Sequence, residues 1–439
     1  PGTGKTRVLV CRAAHLIEHE AVTPSRLVLV TFTRRAAQQL TSRLAALVGP
    51  EAQHVRAGTI HHFCYKTLRA HSAPAGVPDD FIVVDDTVTD AFWQRWYEAH
   101  ERWCEANDLH SYRQVKTHVS RIKLGIDTVS GRLTEGLRAY GEMLGDRGAL
   151  DFDDLLVKTR DLLRNHPDVR ADLVDETRAV LVDEFQDTDP VQFDIIRRLG
   201  EAGAHLYCVA DDDQSVYRFR GARPANLRRY IDRFDCSAER GTRHVLTTNY
   251  RSNRSIYAVA EAVLDADERL KQRGDIRTSD AGTQPVQRVA CDDPEAERTH
   301  VLRQLRDWLD DGAERSDLAV LTRWNRRLAA LERACLRAGL ACETSQSEAL
   351  LDTPPAQKLH ALLRVVDARR RGRPLDAPMT ELLSHLLPDD TMARLRDFGE
   401  RSMPDATLWT AFQTVVSNEQ ARRSAGLDSA TDRLDQTYA

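Results

Sequence analysis

The sequence predicts an α/β protein built on parallel sheets, covered by helices on both faces and interrupted by helical insertions. Three observations carry this. Short apolar runs recur at Leu27–Val30, Ala179–Val182 and Leu206–Val209; such continuous runs suit strands buried on both faces rather than strands with one wet face. Helix-period stretches separate them, as crossover connections between parallel strands require. The chain opens Pro1-Gly2-Thr3-Gly4-Lys5-Thr6, the pattern of a glycine loop feeding a helix.

The elements follow in order. After Thr6, the spacing of Val8, Leu9, Ala13, Leu16 and Ile17 marks a helix, Leu27–Val30 a strand, and Ala36, Leu40, Leu44 and Leu47 a second helix. From about Pro78 to Arg147 strand signals fade, and Phe92, Trp93, Trp96, Tyr97 and Trp103 recur at helical spacing, which reads as a helical insertion. Strands return at 179–182 and 206–209. Val245-Leu246 and Leu318–Leu321 read as further strands, the second preceded by an amphipathic helix through Val301, Leu302, Leu305 and Leu309 and a turn at Asp310-Asp311-Gly312. After Pro354-Pro355 the pattern is helical, broken by Arg369-Arg370-Arg371-Gly372-Arg373-Pro374. The expected division is a first α/β domain in two parts, 1–77 and 148–240, around an insertion at 78–147. A partial second α/β domain follows at 241–346, then the start of another helical insertion at 347–439.

Composition bounds the possibilities. At 439 residues with 62 basic and 67 acidic side chains, net −5, the chain exceeds one compact core and is too balanced for a disordered charged tail. No run approaches the roughly 20 apolar residues that cross a bilayer. The eight cysteines show no CxxC spacing and no matching histidine cluster, which leaves zinc sites and disulfide frameworks unsupported and favours a reducing, cytoplasmic compartment. Lysines number seven, so arginine supplies most of the positive charge and arginine runs carry little information. The negative balance confines any nucleic-acid groove to a local basic surface.

Two strings carry chemistry. In the first, Gly2, Thr3 and Gly4 let backbone N–H groups approach phosphates, Lys5 reaches the outer oxygens, and Thr6 offers a hydroxyl to a magnesium ion. The opening residue of GxxxxGK[ST] lies before Pro1, so the chain reads as a fragment beginning inside a phosphate-binding loop. In the second, the apolar run Ala179–Val182 ends in Asp183-Glu184. A nucleotide hydrolase needs such a pair, one carboxylate beside the metal and one to orient or deprotonate water. The acidic run Asp151-Phe152-Asp153-Asp154 reads as a helix start, since acids complement the positive end of the helix dipole.

Asp183-Glu184-Phe185-Gln186-Asp187-Thr188 and Asp212-Asp213-Gln214-Ser215-Val216-Tyr217-Arg218-Phe219-Arg220-Gly221-Ala222 resemble the second and third motifs of superfamily 1 helicases of the UvrD/Rep/PcrA group. Further strings match in the family's order: Thr31–Ala37, Gly58–Phe63, Asp151–Leu156, Asn249–Ser252 and Ala319–Asn325. The resemblance spans residues 1 to about 345 and weakens beyond.

It implies two RecA-like parallel-sheet P-loop domains that use ATP and Mg2+. Lys5 and Thr6 would hold phosphate and metal, with Asp183 completing the metal site and Glu184 acting as general base. Gln214 would sense the γ-phosphate, Arg251 would place a guanidinium on it, and Arg7 and Tyr250 would sandwich the adenine. Phe32, Tyr217 and Phe219 match base-stacking positions, and Thr33, Thr59, His62 and Arg220 match backbone contacts; Phe219 stands where the family often has tryptophan. The implied activity is an ATP-dependent helicase and translocase on single-stranded DNA and duplex/single-strand junctions. Its polarity is 3′ to 5′ by resemblance, its setting repair, recombination or replication, and no membrane is involved. The alternatives are a non-motor nucleotide-binding regulatory module and the motor part of a helicase-nuclease resembling RecB or AddA. The family's last two motifs and its adenine-reading glutamine are not recognisable, so poor turnover is expected of this stretch alone.

Overall fold

The computed structural model describes residues 1–128, 131–217, 221–237, 239–240, 242–264, 277–278 and 285–344, together with 361–362, 365, 369, 379, 382–383, 389–402 and 408–417. The chain divides into two compact units, residues 1–287 and 288–439.

In the first unit, helix α1 (Lys5–Glu18) leads to strand β1 (Leu27–Thr31), and α2 (Arg34–Val48) to β2 (Arg56–Thr59). Helix α3 (Ile60–Ala70) and the single turn α4 (Ser72–Ala75) follow. Short strand β3 (Ile82–Val83) opens the insertion, which comprises α5 (Asp86–Ala99), α6 (Glu101–Glu105), α7 (Tyr112–Lys123) and α8 (Arg132–Asp146). Strand β4 (Ala149–Leu150) closes it. After α9 (Phe152–Asn165) and α10 (Pro167–Glu176) come β5 (Ala179–Val182), α11 (Pro190–Glu201), β6 (His205–Cys208) and α12 (Ala225–Arg233). Strand β7 (Thr248–Asn249), α13 (Arg254–Val263) and β8 (Arg277–Thr278) complete the unit.

The main sheet has the order β2-β1-β5-β6, and every pairing is parallel. Its two central strands explain their own composition. Leu27 and Leu29 of β1 and Ala179 and Leu181 of β5 pack with Leu9, Leu16, Leu40 and Leu44 of α1 and α2. Val28, Val30, Val180 and Val182 point the other way, into a core with Leu68, Leu155, Leu156 and Ile195. Alternating side chains face opposite sides of a strand, so a sheet sandwiched between helices needs apolar residues at every position. That is why the runs are continuous.

The insertion has its own core of Trp93, Trp96, Val115, Val119, Leu133, Tyr140 and Leu144. Residues 86–146 carry the four helices α5 to α8, and β3 and β4 pair in parallel on either side of them. Gly136 lets α8 approach α5, since an added Cβ would lie 2.7 Å from the Trp96 ring nitrogen. Asp151 caps α9 in a reciprocal capping box with Asp154, so the acidic run is a helix start, as its pattern implied.

Two strand expectations need correction. Val245 and Leu246 are not in a strand; they line a cavity of about 250 Å3 beside β6, and the pairing falls to Thr248–Asn249 instead. An apolar pair is too short to carry a period, so side-chain burial and ladder pairing can separate. Residues 318–321 likewise form no ladder among the described residues, although Leu318 has extended backbone.

The second unit contains α14 (Pro294–Asp310) and α15 (Asn325–Arg337), then α16 (Asp389–Ser402) and α17 (Leu408–Ser417). The last two share a core of Met392, Leu395, Phe398, Ala411, Phe412 and Val415. Among the described residues no helix is long and apolar enough to cross a membrane.

Candidate active site and nucleic-acid groove

The glycine loop has the backbone its sequence requires. Gly2 and Gly4 hold φ of 73° and 85°, a region glycine enters without the Cβ clash other residues meet, and Gly4 is the N-cap of α1. The unsatisfied N–H groups of α1 therefore open onto the loop, as an anion site needs. Lys5 and Thr6 are the first two residues of that helix. Thr6 Oγ1 donates to Asp183 Oδ2 at 3.2 Å, bringing together the hydroxyl and carboxylate expected of a metal site. Both are hard oxygen donors of the kind magnesium takes, so the donor set fits that ion. Burial, then the neighbouring charge of Glu184, pushes the Asp183 carboxyl above its ordinary range, with the Thr6 hydrogen bond working against them.

Glu184 leaves the tip of β5 in left-handed backbone, with φ of 52°. Few non-glycine residues adopt this conformation, and those that do are often found at functional sites. A 3-10 turn over Phe185–Asp187 follows, anchored by the fully buried Phe185, whose N–H donates to the Val209 carbonyl at 3.0 Å. Gln214 donates to Asp211 Oδ2 at 2.5 Å, and Lys5 Nζ reaches the same oxygen at 3.0 Å. Lys5 and Gln214 are legible in their motifs, whereas Asp211, 206 positions from Lys5, is signalled only by its place at the end of an apolar run.

Arg251 and Tyr250 come to this loop through their backbone. The Tyr250 N–H donates to the Gly2 carbonyl at 2.9 Å, and an added Cβ on Gly2 would lie 2.7 Å from Arg251 Cβ and 2.4 Å from Asn249 Oδ1. Fully buried Asn249, which opens the matching string Asn249–Ser252, accepts from the N–H groups of Arg251 and Ser252 and so shapes this approach. The Tyr250 side chain is 70% exposed and Arg7 is exposed too, so both present open faces.

A groove of about 1300 Å3 runs beside this site, lined by Phe32, Thr33, Arg34, Thr59, His62 and Phe152 among others. Four of the residues expected to contact nucleic acid are thereby brought together. Thr33 and Thr59 are the N-caps of α2 and α3, accepting from the N–H groups of Ala36 and His62 at 3.1 and 3.3 Å. Two helix N-termini thus open on one groove, a better anion surface than two isolated hydroxyls. Burial, with Lys66 and Arg34 adding to it, pushes the His62 imidazole below its ordinary value. Tyr217 stacks on Phe32 with ring centroids 4.3 Å apart and planes at 23°. Phe219 and Arg220 lie outside the described residues.

Comparisons with known proteins place the chain in a family. The UvrD/REP helicase N-terminal domain family model matches residues 1–235, and that of the UvrD-like helicase C-terminal domain matches 244–403. DNA helicase II of Escherichia coli (strain K12) is 30% identical over 348 residues, covering 77% of this chain and 47% of that protein. ATP-dependent DNA helicase PcrA of Staphylococcus epidermidis (strain ATCC 12228 / FDA PCI 1200) is 26% identical over 373 residues, covering 83% of this chain and 50% of that protein. The chain spans about half the length of these relatives. With a parallel α/β sheet, a glycine loop at a helix start and a family match over more than half its residues, the chain belongs to the UvrD/REP helicase family.

Proposed function

We propose that this chain is the ATP-hydrolysing part of a DNA helicase that translocates 3′ to 5′ on single strands and works at duplex/single-strand junctions. The observation that carries it is the convergence of Lys5, Thr6, Asp183 and Glu184 at the start of α1, one strand away from an aromatic pair in a groove. In this reading residues 1–77 and 148–240 form the first RecA-like domain around an insertion at 78–147. Residues 241–346 begin the second, and 347–439 lead into its own insertion.

The loop N–H groups and Lys5 bind the ATP phosphates, while Thr6 and Asp183 would hold magnesium, which supplies charge neutralisation on the phosphoryl oxygens. Glu184 orients the attacking water and accepts its proton. Gln214 reads the γ-phosphate, and Arg251 stabilises the charge that spreads over it in the transition state. Arg7 and Tyr250 offer a guanidinium and a phenol to the two faces of the adenine. Bases stack on Phe32, Tyr217 and Phe219, with the helix ends at Thr33 and Thr59 and the side chains of His62 and Arg220 along the backbone. Stacking tolerates any base, as a motor on arbitrary sequence requires.

Glu184→Gln in the full-length protein tests the assignment. DNA-stimulated hydrolysis falls by roughly 100-fold or more, while affinity for a non-hydrolysable ATP analogue stays nearly intact. Unchanged turnover overturns it.

A further inference from the structure

Gln186 is 1% exposed, and both ends of its amide are engaged. Its Nε2 donates to Glu184 Oε2 at 2.7 Å, and its Oε1 accepts the Asp211 backbone N–H at 2.9 Å. Its own carbonyl accepts from Ser215 Oγ at 3.4 Å. The turn that carries it is fixed by buried Phe185 packing against Phe193 and Tyr230. A glutamate has three rotatable side-chain bonds, so an unrestrained Glu184 would sample many orientations. One amide, immobilised by burial, selects among them and leaves the second carboxylate oxygen for water. The other end of the amide grips the first residue of the segment that carries Gln214 and then Tyr217, the partner of Phe32 in the groove.

We infer that Gln186 is a positioning residue that aims Glu184 and ties that aim to the Asp211–Tyr217 segment. Strand binding at the aromatic pair thereby reaches the hydrolytic base through one buried side chain. This rests on the role proposed above for Glu184. A misaimed base loses transition-state stabilisation with little effect on ground-state binding, which separates this role from simple packing.

Two variants of the full-length protein divide the two contacts. Gln186→Glu keeps the acceptor for Asp211 N–H and loses the donor to Glu184, whereas Gln186→Met loses both at similar volume. In both, kcat for ATP falls roughly 10–100-fold while KM stays within about twofold. Because the link runs through both contacts in series, the stimulation of ATP turnover by single-stranded DNA shrinks in both variants. Wild-type turnover in either variant, or a raised KM with kcat retained, overturns the inference alone. A wild-type protein that hydrolyses no ATP overturns the proposed function and this inference with it.

Discussion

Lys5 Nζ lies 3.0 Å from Asp211 Oδ2, the oxygen that also takes the Gln214 amide at 2.5 Å. The two side chains expected on the γ-phosphate are therefore held by one internal carboxylate. An incoming phosphate competes with that carboxylate for both. Asp211→Asn weakens the competitor and tightens binding of a non-hydrolysable ATP analogue, by about three- to tenfold, since each 1.4 kcal/mol is a factor of ten. Titration of wild type and variant side by side checks this, and equal or weaker binding in the variant contradicts it.

The Phe32–Tyr217 stack predicts a contact that ignores salt. Removing a stacking surface costs about 1–3 kcal/mol per base, whereas phosphate contacts set the dependence of affinity on salt. Phe32→Ala and Tyr217→Ala should each weaken binding to a single-stranded oligonucleotide by roughly tenfold, with the slope of log affinity against log salt unchanged. A reduced slope would reassign these residues to the backbone.

Lys123, at the end of α7, ties that helix to the start of α9. Its ammonium reaches Asp151 at 2.7 Å and Asp154 at 2.6 Å, and the Tyr140 hydroxyl donates to the same Asp151 oxygen at 3.0 Å. Burial disfavours the ammonium, and the two carboxylates together outweigh it, so its pKa lies above the ordinary lysine value. Lys123→Met leaves both acids partly buried and uncompensated, which costs about 3–5 kcal/mol. Chemical denaturation should show this as a lowered midpoint; a change below about 1 kcal/mol would mean the acids find other partners.

Asp153 sets a pH dependence of stability. Burial, reinforced by the charge of Asp151, pushes its carboxyl up to about 7, against the opposing pull of Lys123 and a hydrogen bond from Ser120. The folded state then keeps a proton that the unfolded chain releases near pH 4. This contribution is fully present below that pH and is lost as pH rises through about 7. Asp153→Asn is neutral throughout. Its melting temperature should rise relative to wild type between pH 5 and pH 8, and parallel profiles would refute the shift.

Periodicity and local chemistry determined most of the first unit. β1, β5, α1 and α2 fall where apolar spacing put them, because burial on one helical face or on both faces of a strand is written into consecutive residues. The glycine loop and the Asp183-Glu184 pair were legible for the same reason, since each function needs particular residue types at fixed short spacing. Tertiary structure alone decided the partners. Asp211 matters because the end of β6 comes beside a loop more than two hundred residues earlier, and Gln186 because a buried turn aims its amide in two directions. Thr33 and Thr59 look alike in sequence to any surface threonine; only the fold turns their two helix ends onto one groove. Parallel strands pair residues far apart in the chain, so which side chains meet at their tips is a property of the register and not of any local string.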